Sequence, residues 1–374
     1  MNLGRMPAVL RSSTLALRQR STLPQTLIFF VTSRCNARCD FCLYKDSVEN
    51  PTRRSEELTV EEVNKIAAAY GPLHYLALSG GEPFVRKDVG EICQAFIDHC
   101  GTSVIGIPSN FAYGEVMLET IEPLVARNPN VVVELQMSID HLGARHDLSR
   151  GIDGLFESAV NTFEQLQAVR SRHKNLSLKV NLVWLERNRD DIDAIVEGLR
   201  SRIQVDRIHL TFPHEKISPT GVSAEQLDEF DRFMGPAEKL SGDSTGERDL
   251  FTLPMRAAKV SGHRILREAM TGETPMGAIC EAGKHLVVLD ERGEVFPCET
   301  IWESVGNLRE HEYQMGKILA GPTYEAFRKK YLGPSACNCT WSCAAMTAVS
   351  VTPRRYPQLA SDAARIALGI PITQ

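Results

Sequence analysis

The chain has 374 residues, 43% of them hydrophobic and 24% charged, with a formal net charge of −5 at pH 7. This is the composition of an ordinary soluble globular protein long enough for two domains. Its acidic balance argues against a nucleic-acid partner, and no apolar run is long enough for a transmembrane helix.

In chain order, the first 34 residues hold five arginines and no acidic residue, with Leu10, Leu15 and Leu17 interspersed. Residues 1–24 are read as a basic extension, most simply a solvated helix packing on the next domain. The alternative is a segment that touches a membrane or directs transit. Leu27 to Val31 then reads as a strand, followed at once by Cys35-Asn36-Ala37-Arg38-Cys39-Asp40-Phe41-Cys42, with three and then two residues between the cysteines. Three thiolates on so short a loop suit three corners of a 4Fe-4S cluster and leave one iron open to a small molecule. A structural zinc site would normally show a fourth ligand close by, and none follows. The ten cysteines fall in clusters of metal spacing, which fits a reducing cytoplasm better than a disulfide scaffold.

Thr59-Val60-Glu61-Glu62 is a capping-box start to a helix ending near Gly71. The run Leu73 to Leu78 reads as a second strand and leads into Ser79-Gly80-Gly81-Glu82-Pro83. Val89, Ile92, Cys93, Phe96, Ile97 and Cys100 recur at helical spacing, so Cys93 and Cys100 are core thiols. Further strands are predicted at Ser103–Pro108, Val131–Ile139, Leu176–Trp184 and Arg207–Phe212, with helices near Glu115–Arg127, Leu155–Ser171 and Asp191–Ser201. Six strand–helix units between Thr26 and Phe212 predict a parallel sheet and a partial (β/α)6 barrel, an α/β fold.

Alternation along the later strands assigns their faces. Glu134, Gln136 and Ser138 alternate with Val133, Leu135 and Met137; Ser177, Lys179 and Asn181 with Leu178, Val180 and Leu182; Arg207, His209 and Thr211 with Ile208, Leu210 and Phe212. The apolar sets face the outer helices, so the polar sets enter the lumen. Filled barrels carry branched apolar side chains there, and a polar lumen implies either a ligand chamber or closed polar pairs such as Glu134 with Lys179.

Beyond 25–234, the small and charged residues of 235–250 read as a linker. In 251–374 the cysteines return. Cys280 is separated by twelve residues from Gly293, and four more residues separate Gly293 from Cys298. Asp290-Glu291-Arg292-Gly293 forms a predicted hairpin turn between Leu286–Leu289 and Glu294–Phe296. Cys337-Asn338-Cys339-Thr340-Trp341-Ser342-Cys343 follows. Five cysteines suffice for one 4Fe-4S cluster but not two; four could also hold a structural zinc.

The pairing of the first cysteine motif with Gly80-Gly81-Glu82-Pro83, in this order and strand context, resembles the radical S-adenosylmethionine (SAM) superfamily. The distal cysteines resemble its SPASM/Twitch subfamily, here in a reduced form with one auxiliary cluster. The resemblance implies that Cys35, Cys39 and Cys42 ligate a 4Fe-4S cluster whose fourth iron takes the amino and carboxylate groups of SAM. It implies that Gly80, Gly81, Glu82 and Pro83 meet the SAM ammonium, and that Ser138 and Asn181 are candidates for its ribose and carboxylate. Asp140 and Arg150 look more like loop architecture or substrate contacts. Cys280, Cys298 and Cys343 are expected as auxiliary ligands, with Cys337 or Cys339 completing the set.

Such an enzyme cleaves SAM reductively, abstracts hydrogen from a C–H bond and draws its electron from a low-potential donor such as flavodoxin or ferredoxin. The polar lumen favours a small polar substrate, with oxidation of a carbohydrate or aminocyclitol as the leading expectation. Glu134 and His209 are candidate bases by position. A peptide substrate, protein maturation and radical epimerisation are the alternatives; with only 34 residues before Cys35, a leader-recognition module is not expected. An iron–sulfur electron carrier or sensor would need neither the Gly80–Pro83 turn nor an open iron.

Overall fold

The computed structural model describes residues 23–217, 220–242, 253–332 and 337–368. The basic extension falls outside the described residues but for its last two positions. Six parallel strands form the barrel wall: β1 (Thr26–Phe30), β2 (Tyr75–Ser79), β3 (Val104–Ser109), β4 (Val132–Ser138), β5 (Leu176–Val183) and β6 (Arg207–Thr211). Between successive strands run α1 (Val60–Tyr70), α2 (Val89–Cys100), α3 (Gly114–Arg127), α4 (Leu155–Arg172) and α5 (Ile192–Arg200).

Local chemistry sets several boundaries. The Thr59 hydroxyl accepts from Glu62 N–H at 3.2 Å while the Glu62 carboxylate accepts from Thr59 N–H at 2.9 Å, closing the capping box of α1. Gly101, in the left-handed region at φ 62°, ends α2, and Cys93 and Cys100 are buried in its apolar face. The helices are held by burial more than by propensity: α5 buries Ile192, Ile195, Val196 and Leu199, each worth roughly 1.5–3 kcal/mol.

Strand parity follows the sequence pattern. Along β4 the residues alternate between partly accessible and buried, Glu134, Gln136 and Ser138 keeping accessible surface while Val133, Leu135 and Met137 are buried. The outward face therefore packs on helices, and the accessible face opens on the lumen.

After β7 (Lys216–Ile217) come α6 (Ala224–Gly242) and α7 (Leu253–Thr271). The expected linker is thus corrected: 235–242 is the last part of α6, and 243–252 lies outside the described residues. Phe230, Phe233, Met234, Ala237 and Leu240 form a buried stripe at helical spacing through that segment. The small and charged residues between them, with Pro236 inside the helix, obscured it.

The C-terminal part is continuous with the barrel sheet. The predicted hairpin is present as β8 (Leu286–Leu289) and β9 (Glu294–Phe296), with Gly293 at φ 91°. Leu286–Leu289 pairs in parallel with Thr26–Phe29, so β1 is not an edge. With β10 (Gly306–Asn307) the sheet order is β10-β9-β8-β1-β2-β3-β4-β5-β6. The short strand β11 (Asn338–Cys339) pairs antiparallel with β7. Two helices, α8 (Ser342–Val351) and α9 (Tyr356–Leu368), pack on α7.

Candidate active site at the open end of the barrel

The two glycines after β2 are required by the backbone beside them. A Cβ on Gly80 would lie 2.2 Å from the Thr32 carbonyl oxygen, and one on Gly81 2.2 Å from that of Arg34. Gly81 N–H donates to Thr32 O at 2.7 Å and Glu82 N–H to Arg34 O at 2.9 Å. The close approach that glycine permits is therefore first to the segment entering Cys35, and it holds the cysteine loop over the strand ends. Asn110 Nδ2 donates to Asn36 Oδ1 at 2.8 Å and ties the same loop to the end of β3.

Glu82 is buried and already engaged. It accepts from Ser109 Oγ at 2.8 Å, from Asn110 N–H at 2.8 Å and from Phe84 N–H at 3.2 Å. Burial pushes its pKa up, against the pull of these hydrogen bonds. A carboxylate offers about four acceptor positions, so about one remains for a cation in the cavity. Its larger role is to join the turn after β2 to the end of β3.

Cys35, Cys39, Cys42, Gly80, Gly81, Glu82, Pro83 and Ser138 line one cavity of ≈290 Å³. Sequence reasoning had grouped these eight by motif or by place. Ser109, Asn110 and Arg150 also line it. Arg150 binds Asp140 at 2.7 Å and sits beside Cys39, whose pKa it lowers against the larger upward push of burial. Two guanidiniums lie over the Phe41 ring, Arg150 at 5.4 Å and Arg187 at 5.1 Å from its centroid, and Arg187 also pairs with Asp40. Loop architecture or substrate contact was the expectation for Asp140 and Arg150; their ion pair braces the loop, and Arg150 also lines the cavity.

The remaining barrel candidates lie apart from this cavity, in the lumen. Asn181 Nδ2 donates to Gln136 Oε1 at 2.7 Å and does not line the cavity. Glu134 pairs with Lys179, so the polar pair named as an alternative exists and Glu134 is no free base. His209 Nδ1 lies 2.5 Å from Lys259 Nζ. Burial, Lys259, Lys179 and Arg207 hold its pKa well below the usual imidazole range, which makes it a weak base. Lys259, on α7, was missed because strand parity is silent about helices. Its signal was a lysine between Ala258 and Val260, both buried.

The second cysteine group is sharper than expected. Cys280, Cys298, Cys337 and Cys339 line one narrow cavity with Met276, Ile301 and Trp341 among its walls. Cys337 and Cys339 are two residues apart in extended chain, so their side chains leave the same face; Asn338, between them, accepts from Met276 N–H at 2.7 Å. Cys343, expected among the firmest ligands, does not line this cavity. It lies in the first turn of α8 and approaches Glu299 and Tyr75 on the lumen side, accessible there although burial raises its pKa to about 12.

The cysteine sulfurs suit iron–sulfur ligation. Cys35 accepts from Ala37 N–H at 3.3 Å, Cys280 from Ala282 N–H at 3.4 Å and Cys298 from Thr300 N–H at 3.4 Å. Burial, with smaller pushes from neighbouring carboxylates and thiols, raises Cys35 and Cys280 to about 12 and Cys298 to about 11, so a bound cation is needed to draw out the thiolates. Among the described residues no three His, Cys, Asp or Glu side chains converge on a single-ion point.

Comparison with known proteins agrees with this geometry. Residues 29–211 match the model of the Radical SAM superfamily, and residues 280–344 that of SPASM, an iron–sulfur cluster-binding domain. The chain is 27% identical over 307 residues to an AdoMet-dependent heme synthase of Methanosarcina barkeri, covering 78% of this chain and 81% of that protein. It is 28% identical over 170 residues to GTP 3′,8-cyclase 1 of Pseudomonas aeruginosa, a match spanning 45% of this chain and 48% of the cyclase. The solved structure of anSMEcpe with bound AdoMet and the Cp18Cys peptide shares the fold with a TM-score of 0.55 at 13% identity, covering 92% of this chain and 99% of that one. Among the described residues no helix is long and apolar enough to cross a membrane.

Proposed function

The chain belongs to the radical SAM superfamily and carries the SPASM iron–sulfur cluster-binding domain, and from that premise we propose that it oxidises a small polar substrate held in the barrel lumen. When bound, the two clusters would supply the redox chemistry, an electron for reductive cleavage of SAM and an acceptor for the electron leaving the substrate, whose accompanying proton would pass to solvent in the lumen. Cys35, Cys39 and Cys42 would hold the first cluster, and Cys280, Cys298, Cys337 and Cys339 the second. Gly80 to Pro83 and Ser138 line the cavity that would hold SAM, where a remaining acceptor position of Glu82 could take its ammonium.

The observation that carries the reading is the polar lumen beneath that cavity. Gln136, Asn181 and His209 keep accessible surface there while their outward neighbours are buried. A four-cysteine second site supports oxidation, because a fully ligated cluster has no open iron for a ligand and suits electron transfer. His209, held neutral, accepts a hydrogen bond at Nδ1 and orients the Lys259 amine; it does not serve as the main base.

The test uses anaerobically reconstituted holoenzyme with dithionite and a labelled substrate. Oxidation consumes one SAM per product and moves substrate deuterium into 5′-deoxyadenosine. Product of unchanged mass in ordinary water that carries one solvent deuteron in heavy water would replace oxidation with epimerisation. Turnover of a peptide in place of a small molecule would replace the substrate class.

A further inference from the structure

Cations gather on one side of the lumen around His209. Lys179 and Arg207 are register partners across β5 and β6, His209 stands two residues along β6, and Lys259 reaches it from α7 at 2.5 Å. Arg256, three residues before Lys259, bears on Arg207. The carboxylate facing this group is Glu134, paired with Lys179. Asp206 also bears on Arg207, but its oxygens accept from Arg170, from Ser177 Oγ and from Leu178 N–H.

Lys179 is buried, held against Glu134, and the other three, Arg207, His209 and Lys259, are only partly so. Arg207, His209 and Lys259 each keep accessible surface, while Ile208, Ala258 and Val260 beside them are buried, so what is accessible faces the lumen. Gathering like charges in a desolvated chamber is unfavourable unless an opposite charge completes it. The strain is visible at Lys259, whose amine is pushed well below its usual range by burial, Arg207 and Lys179, with Glu134 opposing.

We infer that the lumen binds an anionic group of the substrate, a carboxylate or a phosphate, on Lys179 and Lys259, with His209 positioning the Lys259 amine. This deepens the proposed function and rests on its placing of the substrate in the lumen. The anionic end sits on the β5–β6–α7 side, leaving the rest of the substrate to extend toward the SAM cavity. With Lys259 charged, Nδ1 of His209 accepts its hydrogen and the ring proton lies on Nε2, a further donor to the anion.

The test is calorimetric titration of anaerobic holoenzyme, at fixed ionic strength, with citrate, inorganic pyrophosphate and the neutral polyol myo-inositol. At least one anion is expected to bind one per chain, at least about tenfold tighter than inositol, as one charge-assisted hydrogen bond provides. Citrate alone would identify a carboxylate site and pyrophosphate alone a phosphate site. Lys259→Met and Lys179→Met should each weaken the anion by about tenfold or more, Lys259→Arg should retain most of the affinity, and Lys317→Met, at an exposed surface pair with Glu312, should leave it unchanged. Inositol binding as tightly as the anions, no binding of either anion, or wild-type affinity in both methionine variants would overturn the inference. Reductive SAM cleavage, measured separately as 5′-deoxyadenosine, would stand in that event; its loss with anion binding intact would instead sink the radical reading.

Discussion

Trp302 stacks on Tyr44, with ring centroids 5.2 Å apart and planes 28° from parallel. Tyr44 follows Cys42 by two residues and Trp302 follows Cys298 by four, so this one contact joins the two cysteine loops. Phe30 and Phe296 close on Trp302 edge-on at 5.0 and 4.8 Å, and the Tyr44 hydroxyl donates to Glu291 at 2.8 Å. Trp302 holds φ at 50°, a conformation that costs a bulky residue of order 1–3 kcal/mol and persists only where surrounding contacts impose it.

Trp302→Ala should therefore lower stability by about 2–4 kcal/mol, the lost ring contacts outweighing any relief of backbone strain. Iron should also be lost faster to a chelator from both clusters. Iron-release kinetics check this: accelerated loss confined to one site would show that the stack does not couple the loops.

The four-cysteine set predicts an asymmetric alanine scan. Anaerobic reconstitution should yield about eight irons per chain, as two four-iron clusters. Replacing Cys280, Cys298, Cys337 and Cys339 together should leave about four, with SAM cleavage at the first site retained. Cys343→Ala should keep about eight. Iron analysis and electron paramagnetic resonance decide it, and loss of the second cluster on changing Cys343 would reinstate that residue as a ligand.

At the first site, alanine at Cys35, Cys39 or Cys42 should abolish 5′-deoxyadenosine formation. Gly81→Ala should do nearly the same without touching a thiol, because its Cβ would meet the Arg34 carbonyl at 2.2 Å and force the cysteine loop away from the turn. Cleavage by Gly81→Ala at the wild-type rate would show that the loop tolerates the shift.

Acid sensitivity should be traceable to Glu62. Arg309, with help from Thr59 N–H and Tyr313, lowers its pKa from 4.5 to about 2. The folded-state pKa lies below the unfolded one, so its contribution is present above about pH 4.5 and is lost as pH falls toward 2. Glu62→Gln should cost about 1–3 kcal/mol at pH 7, with the gap to wild type narrowing below pH 4.5. Unfolding midpoints of the two proteins between pH 7 and 3.5 measure it; a constant gap would remove the ion pair as the cause.

How much was legible varied with the range of the interactions involved. The chemistry of the Cys35–Cys42 loop is written in three residues with local spacing, and the capping box, the helices and the Asp290–Gly293 turn are likewise short-range. Lumen parity was readable because successive side chains of a strand must point to opposite faces. By contrast, α6 was hidden where Pro236 and small residues interrupted its stripe, and Lys259 lay on an element whose packing partner no local pattern names.

The sequence by itself therefore determined the cofactor chemistry, the barrel strands and the polar character of the lumen, since each follows from periodicity or from ligands close along the chain. Only the tertiary structure decided that Cys337 and Cys339, not Cys343, line one cavity with Cys280 and Cys298, that Glu82 is spent largely on Ser109 and Asn110, and that Lys259 comes to His209. These relations join residues 27 to 59 positions apart. Pairings at such separations depend on how the hairpin docks on β1, how β11 meets β7 and how α7 lies along the sheet, and no local preference encodes those.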